Sequence, residues 1–357
     1  MSFVEILSGG AITPEVWDST INEEYLRQAF WSRWMGEGDS AVIQIREDLT
    51  KASGDAINTQ IRSQVMGGVV TGRTKTSGNE GTMDFYNYRQ TVDDDKVAVK
   101  AENLPMTQQR AAFSVVMAMQ SGLTDKRRLR TEDRITTALS DTSTGRVRGR
   151  YLYGAVDSNW NATHATALTN LDGTDDKLKL THIDMCVRKA KLISGSATAK
   201  IRPYKVMIGD KEGVQEWFVY VAHTLAIRDL VNDDAAWKNP MLLIPPVSNP
   251  GNPLFTGAQF KGGYQGVLIY EWEGIQTGSS TIQYAHNLLL GAQAGIMAWA
   301  QYGKTTEEWT NYKKDLGLEH HEINSIKKVV FDRNAVDGNI SNEDAGVVHH
   351  FTAAVAD

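Results

Sequence analysis

Apolar residues recur along this chain with two different periods, and the switches between them mark out its elements. Over residues 1–53 the period is helical. Thr13 followed by Pro14 supplies a capping hydroxyl and a first-turn proline. From there Trp17, Ile21, Trp31 and Met35 share one side, and Leu26, Phe30 and Trp34 form a second stripe four residues apart. Two apolar stripes need two covering surfaces, either the chain's own core or neighbouring chains. At Asp55 the period becomes two: Ile57, Thr59, Ile61, Ser63 and Val65 alternate with Asn58, Gln60, Arg62 and Gln64. A second β-rich run covers residues 83–100, with Phe85, Tyr86, Tyr88, Val97 and Val99. Between the runs lie Gly67, Gly68, Gly72, Gly78 and Gly81, so the segment predicts a projecting hairpin with a glycine-rich tip. A hairpin alone is marginal in water and has to rest on another surface.

Pro105 ends the strand, and residues 108–140 read as helix, about 50 Å long at the α-helical rise, with Gly122 as its weak point. Its cluster Lys126, Arg127, Arg128, Arg130 and Arg134 sits among Asp125, Glu132 and Asp133, the pattern of a solvated or ion-paired face. Residues 142–176 are polar and irregular and predict a surface excursion. Beyond them the pattern predicts a helix capped by Thr181, a strand at 205–208 and a helix carrying Val214, Trp217, Phe218 and Val221. Residues 239–263 hold five of the chain's eight prolines and predict a long loop. A strand at 266–271 follows, then the apolar run 288–299, where Gly291, Ala292, Ala294 and Gly295 admit a close backbone approach.

The 357 residues are 41% hydrophobic and 22% charged, enough to bury one or two cores. No apolar run reaches the roughly 20 residues of a membrane span, and MSFVEILSGG lacks the pattern of a secretory signal, so the expectation is a cytoplasmic product with no membrane contact. The single cysteine, Cys186, excludes an internal disulfide, and Ile183, Val187 and Ala190 around it predict a buried helix face. A net charge of −6 argues against a protein whose main task is gripping nucleic acid.

Candidate chemistry is sparse. GGVVTGRT at residues 67–74 has Arg73 where a phosphate-binding loop carries lysine, and neither a buried strand before it nor a helix after it. The pairs His320–His321 and His349–His350 are adjacent, which on a strand turns them to opposite faces and denies them one metal; both read as solvated polar patches. No catalytic, cofactor or metal residues are therefore assigned, and the expectation is not an enzyme.

Three strings carry a resemblance to a known family: GNEGTMDFYNYRQTV…ENLPMTQQR (78–110), NPLFTGAQFKGGYQGVLIYE (252–271) and HNLLLGAQAGIMAWAQYG (286–303). In order and spacing the chain resembles the major capsid proteins of tailed bacteriophages, in particular those of phage N-four and its relatives. The resemblance implies an α+β coat fold of the Hong Kong phage type. It maps as an N-terminal arm (1–54), an extended β-hairpin loop (55–102), a peripheral domain with a long spine helix (103–180), an axial α/β domain (181–283) and a return to the peripheral domain with a tail (284–357). It implies a homo-oligomer of hexamers and pentamers closing an icosahedral virion shell, assembled in the host bacterial cytoplasm. Double-stranded DNA would lie on its inner face, with a portal and separate scaffolding or decoration proteins as partners. Expected inter-subunit contacts are Trp17, Phe30, Trp31, Trp34, Arg62, Arg73, Lys75, Glu80, Phe85 and Tyr86. The rival readings are a cellular nanocompartment shell of the same fold and a nucleotide-binding enzyme using residues 67–74.

Overall fold

The computed structural model describes residues 30–51, 53–62, 65, 68–83, 85–110, 114–193, 199–207, 214–233, 259–331 and 343–355. Among them two sheets organise the molecule. The smaller has five strands: β1 (Met35–Gly36), β2 (Ile43–Arg46), β13 (Gly295–Thr310), β14 (Asp315–Lys328) and β5 (Asp93–Ala101), in the order β1-β2-β13-β14-β5. Its frame is the long antiparallel hairpin β13–β14, with β5 antiparallel on one flank and β2 parallel on the other. The helix Val115–Leu139 packs on β5 and β14. Ser114 caps it, its hydroxyl accepting from the Met117 amide at 3.4 Å.

The larger sheet has eight strands. Its path runs β6 (Tyr151–Tyr153), β17 (Val347–Ala353), β12 (Gln283–Leu290), β8 (Val214–Ala222), β10 (Val267–Glu271) and β9 (Phe260–Tyr264). The short β11 (Thr277–Ser279) pairs with β12, and β7 (Tyr204–Met207) with β8. Helix Leu180–Lys191 covers part of one face through Ile183, Cys186 and Ala190, all fully buried, as the spacing around Cys186 predicts. Burial pushes the Cys186 thiol up to about 12, so it is an inert core group.

Several expectations are corrected. Residues 31–34 form a 3-10 turn that passes into β1, which ends the predicted helix short of Met35. The segment 214–222 is strand β8: Phe218 through Ala222 are buried on both faces, and a run without a wet face carries no periodicity by which to tell helix from strand. Helix Leu180–Lys191 begins two residues earlier than a Thr181 cap requires, with Lys179 at the cap position. Residues 142–176 are no surface excursion, because β6 lies in the larger sheet with Tyr151 and Tyr153 fully buried. The expected boundary after Gln283 falls at the first residue of β12, and β17, from the expected tail, is an interior strand between β6 and β12. The proline-rich segment lies largely outside the described residues.

Among the described residues the chain crosses between the two sheets three times, at 140–150, 291–294 and 345–346, and the crossings converge. The Val329 amide donates to Ala294 O at 3.0 Å and the Gly291 amide to Gly346 O at 2.8 Å. Gly346 is required there, since a Cβ would lie 2.6 Å from Ala294 Cα. Gly291 is similarly close to Arg202 O, at 2.4 Å, as the small-residue run at 291–295 predicts.

Candidate functional site

The projecting element predicted from the alternating pattern is present. Strand β3 (Ala56–Arg62) pairs with β4 (Phe85–Thr91) from Ala56–Thr91 to Arg62–Phe85. Ile57 and Thr59 are buried, while Asn58 and Gln60 face solvent. The base of this hairpin is fastened to the smaller sheet. Gln90 Nε2 donates to Ile296 O at 3.2 Å, and the Tyr88 hydroxyl donates to Lys328 O at 2.7 Å. Burial, assisted by the charge of Asp141, pushes that hydroxyl up to about 12.

Away from the base the hairpin turns apolar and exposed. Val65, Val69 and Phe85 are 58%, 88% and 60% accessible, a concentration that folding of the single chain leaves uncovered. The tip is nevertheless shaped. The Gly78 amide donates to Glu80 Oε2 at 2.8 Å and Asn79 Nδ2 to Lys75 O at 3.0 Å. Gly68, at φ +74°, lets the two limbs touch, because a Cβ would sit 2.4 Å from the Gly81 nitrogen. The expected contact residues Arg73, Lys75, Glu80 and Phe85 are thus gathered on the exposed part of this hairpin. Arg62 and Tyr86 lie on its paired strands. Residues 68–74 are exposed coil with no helix after them, which leaves the nucleotide-loop reading without its structural context.

The aromatic residues of the arm lie elsewhere. Phe30, Trp31 and Trp34 are 3%, 0% and 1% exposed and fill the angle between the long helix and the larger sheet. Phe30 stacks on Trp272 at 4.3 Å, and Trp34 meets Tyr270 edge-on at 4.8 Å. Trp31 Nε1 donates to Thr136 Oγ1 at 3.2 Å. For these three the covering surfaces belong to the chain itself, so they offer no side-chain surface to a neighbour. Trp17 lies outside the described residues.

Two further surface features escaped the sequence reading. An apolar groove of about 480 Å³ runs between the long helix and β5, lined by Val97, Val99, Val115, Met119 and Leu123. It lies beside β5, the edge strand of the smaller sheet. At the turn of β13–β14, Asn311, Tyr312 and Lys313 all adopt positive φ (51°, 54° and 62°) and Tyr312 is 99% exposed. Apart from Asn311, which tolerates that conformation, no residue type there signals it.

Three members of the basic cluster on the long helix, Arg127, Arg130 and Arg134, are ion-paired. Buried Arg127 meets Glu322 at 2.9 Å, while Arg130 and Arg134 both reach Asp95, at 2.5 and 2.9 Å. Burial acts against the Asp95 charge, but the two guanidiniums outweigh it and hold the carboxyl below its ordinary range. These pairs fix the helix to β5 and β14.

A second polar cluster sits where the chain crossings converge. Lys328 Nζ lies 2.7 Å from Asp344 Oδ1 and donates to the carbonyls of Asp141 and Thr144. His349 Nε2 is 3.1 Å from Asp344 Oδ2, and its Nδ1 is 2.7 Å from His286 Nε2. Burial pushes Asp344 up to about 7 against the pull of Lys328, and holds His286 and His349 well below the ordinary histidine range. His350, fully buried, bonds Tyr220 at 2.7 Å, and His320 is 1% exposed. The solvated-patch reading is therefore corrected for His320, which bonds Thr305 on the neighbouring strand at 3.0 Å, and for His349 and His350, which meet His286 and Tyr220 from strands far away in sequence. Among the described residues no group of acidic, histidine or cysteine side chains has the arrangement of a metal site, and no helix is long and apolar enough to cross a membrane.

Comparison with known proteins places this geometry. The sequence pattern of the family described as phage capsid protein matches residues 5–356. The fold is similar to the capsid subunit of cyanophage Pam1, with 23% identity, TM-score 0.73 and coverage of 100% of this chain and 99% of that one. It is also similar to the capsid of Ralstonia phage GP4, with 19% identity, TM-score 0.75 and coverage of 100% and 98%. The capsid of the Helicobacter pylori bacteriophage KHP30 aligns at 12% identity and TM-score 0.69, covering 99% and 98%. No curated protein matches the chain.

Proposed function

The chain belongs to the phage capsid protein family, and from that premise we propose that the hairpin β3–β4 is the limb by which one subunit grips the next. The protein is a structural subunit of a phage head with the tailed-phage coat fold, and it acts by self-assembly into a shell. The observation that carries the hairpin's role is its division of labour. The base is locked to the subunit through Gln90 and Tyr88, whereas Val65, Val69 and Phe85 leave an apolar surface bare. The groove between β5 and the long helix is the receiving surface, because it is apolar where the hairpin is apolar. Such a contact joins two different surfaces of one chain, so it propagates around a ring, and closed symmetry multiplies a modest interface.

In the same reading, hexamers and pentamers close an icosahedral shell in the host cytoplasm, with the larger-sheet module at the capsomer centre and the smaller sheet at its rim. Double-stranded DNA fills the interior, and portal, scaffolding and decoration proteins come from separate genes. The subunit catalyses no reaction. Deleting residues 67–81 tests the hairpin. The expected outcome is a subunit with unchanged circular dichroism and thermal midpoint that forms few or no closed shells by negative-stain microscopy; normal shells would refute its role.

A further inference from the structure

Charge is distributed very unevenly in this chain. The whole sequence carries 37 Lys and Arg against 43 Asp and Glu, yet residues 177–205 carry eight basic residues and one acidic, Asp184. The fold concentrates them further. The Ile201 amide donates to Ala190 O at 2.8 Å, which sets Lys200 and Arg202 beside the last turn of helix Leu180–Lys191, next to Arg188 and Lys191. Arg188, Lys191, Lys200 and Arg202 are all exposed.

Positive side chains are common where helices end, because they offset the unpaired carbonyls there. Here that task is performed from inside. Arg150, 0% exposed, donates to Lys189 O at 3.3 Å and to Ala199 O, closing the helix end with a buried guanidinium. Nor is the surface charge cancelled by ion pairs. Asp157 answers Arg148 and Lys189, and Asp39 answers Arg202 at 3.4 Å, but among the described residues no carboxylate pairs with Arg188, Lys191 or Lys200. An uncompensated basic surface on a chain with an acidic surplus is costly in self-repulsion unless a polyanion faces it.

We propose that the C-terminal turn of helix Leu180–Lys191, with Lys200 beside it, is a docking surface for the phosphate backbone of duplex DNA. The proposal rests on the coat reading, which puts DNA inside the shell, and it names the surface that turns toward it. The chemistry favours phosphates because the cations are spread over an open surface without a pocket. That arrangement holds a backbone without reading its sequence.

The test uses the full-length, unassembled subunit and a short fluorescent duplex, with affinity followed by anisotropy across about 50–200 mM salt. Three phosphates neutralised by Arg188, Lys191 and Lys200 contribute about −2.7 to the slope of log affinity against log salt. The triple variant Arg188→Ala, Lys191→Ala, Lys200→Ala should lose about that much slope, while Lys304→Ala, Lys313→Ala, Lys314→Ala, which removes equal charge elsewhere, should keep it. Equal slopes for the two variants overturn the proposal. So does a protein that binds poly-glutamate but not the duplex, which would mark the surface for an acidic protein partner. Shell formation, followed separately by microscopy, tests the coat reading independently of the slope.

Discussion

Replacing Asp344 with asparagine probes the place where the chain crossings meet. The Asp344 and Lys328 side chains are 0% and 2% exposed and 2.7 Å apart. Asparagine keeps the volume and one carbonyl oxygen but removes the charge, leaving the Lys328 ammonium among neutral carbonyl oxygens with no carboxylate to offset it. Removing one member of a buried ion pair costs about 3–5 kcal/mol, because the other charge stays out of water without compensation. At about 2 °C per kcal/mol for a chain of this size, the thermal midpoint should fall by about 6–10 °C. Replacing both members, Lys328→Met with Asp344→Leu, also removes the desolvation penalty, so most of the loss should return. The remainder is the cost of leaving the Asp141 and Thr144 carbonyls without a donor and His349 without its carboxylate partner, about 1–3 kcal/mol. The expected order of stability is unaltered protein, double variant, Asp344→Asn, read by thermal and urea unfolding of the unassembled subunit at about pH 8.5, above the Asp344 pKa of about 7, where the carboxylate is ionised. A single variant within about 0.5 kcal/mol of the unaltered protein, or a double variant below the single, would refute the reasoning.

Acidification should destabilise the subunit. His286, His349 and His350 are held well below 6.5 by burial and His320 is lowered to about 3, so below pH 6.5 the unfolded chain binds protons that the folded chain refuses. Asp344, raised to about 7, has the opposite sign: the folded state holds its proton between the ordinary carboxylate range and 7, so its contribution falls as pH rises through that window. Four imidazoles outweigh one carboxyl, and a thermal midpoint at pH 5 equal to or above that at pH 7.5 would contradict this balance. Two glycines should respond oppositely to alanine. Gly122→Ala, in a helix with nothing within 4 Å of the new methyl, should gain about 0.5–1 kcal/mol in urea unfolding, whereas Gly291→Ala, 2.4 Å from Arg202 O, should lose about 1–3 kcal/mol or more. Phe85→Ser should leave the unfolding midpoint within about 0.5 kcal/mol, since the ring is already exposed, yet reduce shell yield in a microscopy assay.

What the sequence discloses depends on whether an element has one wet face. Strand β3 was legible because Ile57 and Thr59 alternate with exposed Asn58 and Gln60, and helix Leu180–Lys191 because Cys186 lies on a stripe with Ile183 and Ala190. Strand β8 was not, since Phe218 to Ala222 bury both faces and leave no period to read. The histidines of β17 read as solvated because their partners are remote: His286 is 63 residues from His349 and Tyr220 is 130 from His350. Tyr151 and Tyr153 were hidden in a polar segment for a related reason, as the strand that buries them comes almost 200 residues later. Each sheet draws strands from separated parts of the chain, so its membership is set by pairings that no local pattern records. The exposed hairpin was legible from its alternation and its glycines, while the groove beside β5 is made by two elements jointly and leaves no local mark.

The convergence of the three crossings also determines how a subunit can deform. Backbone that passes between two bodies at scattered points welds them, but backbone that passes at one spot behaves as a hinge pin. Here Lys328 and the contacts of Ala294 with Val329 and Gly346 gather all three passages together. Pulling the sheets apart would stretch three covalent strands at once, whereas tilting one against the other loads none of them along its length. The wedge of Phe30, Trp31 and Trp34 sets the limit of that tilt, since it fills the angle that a closing motion would need. A curved wall built from such units can change its local bend by a small rotation inside each unit while the chain connection keeps the two halves from sliding.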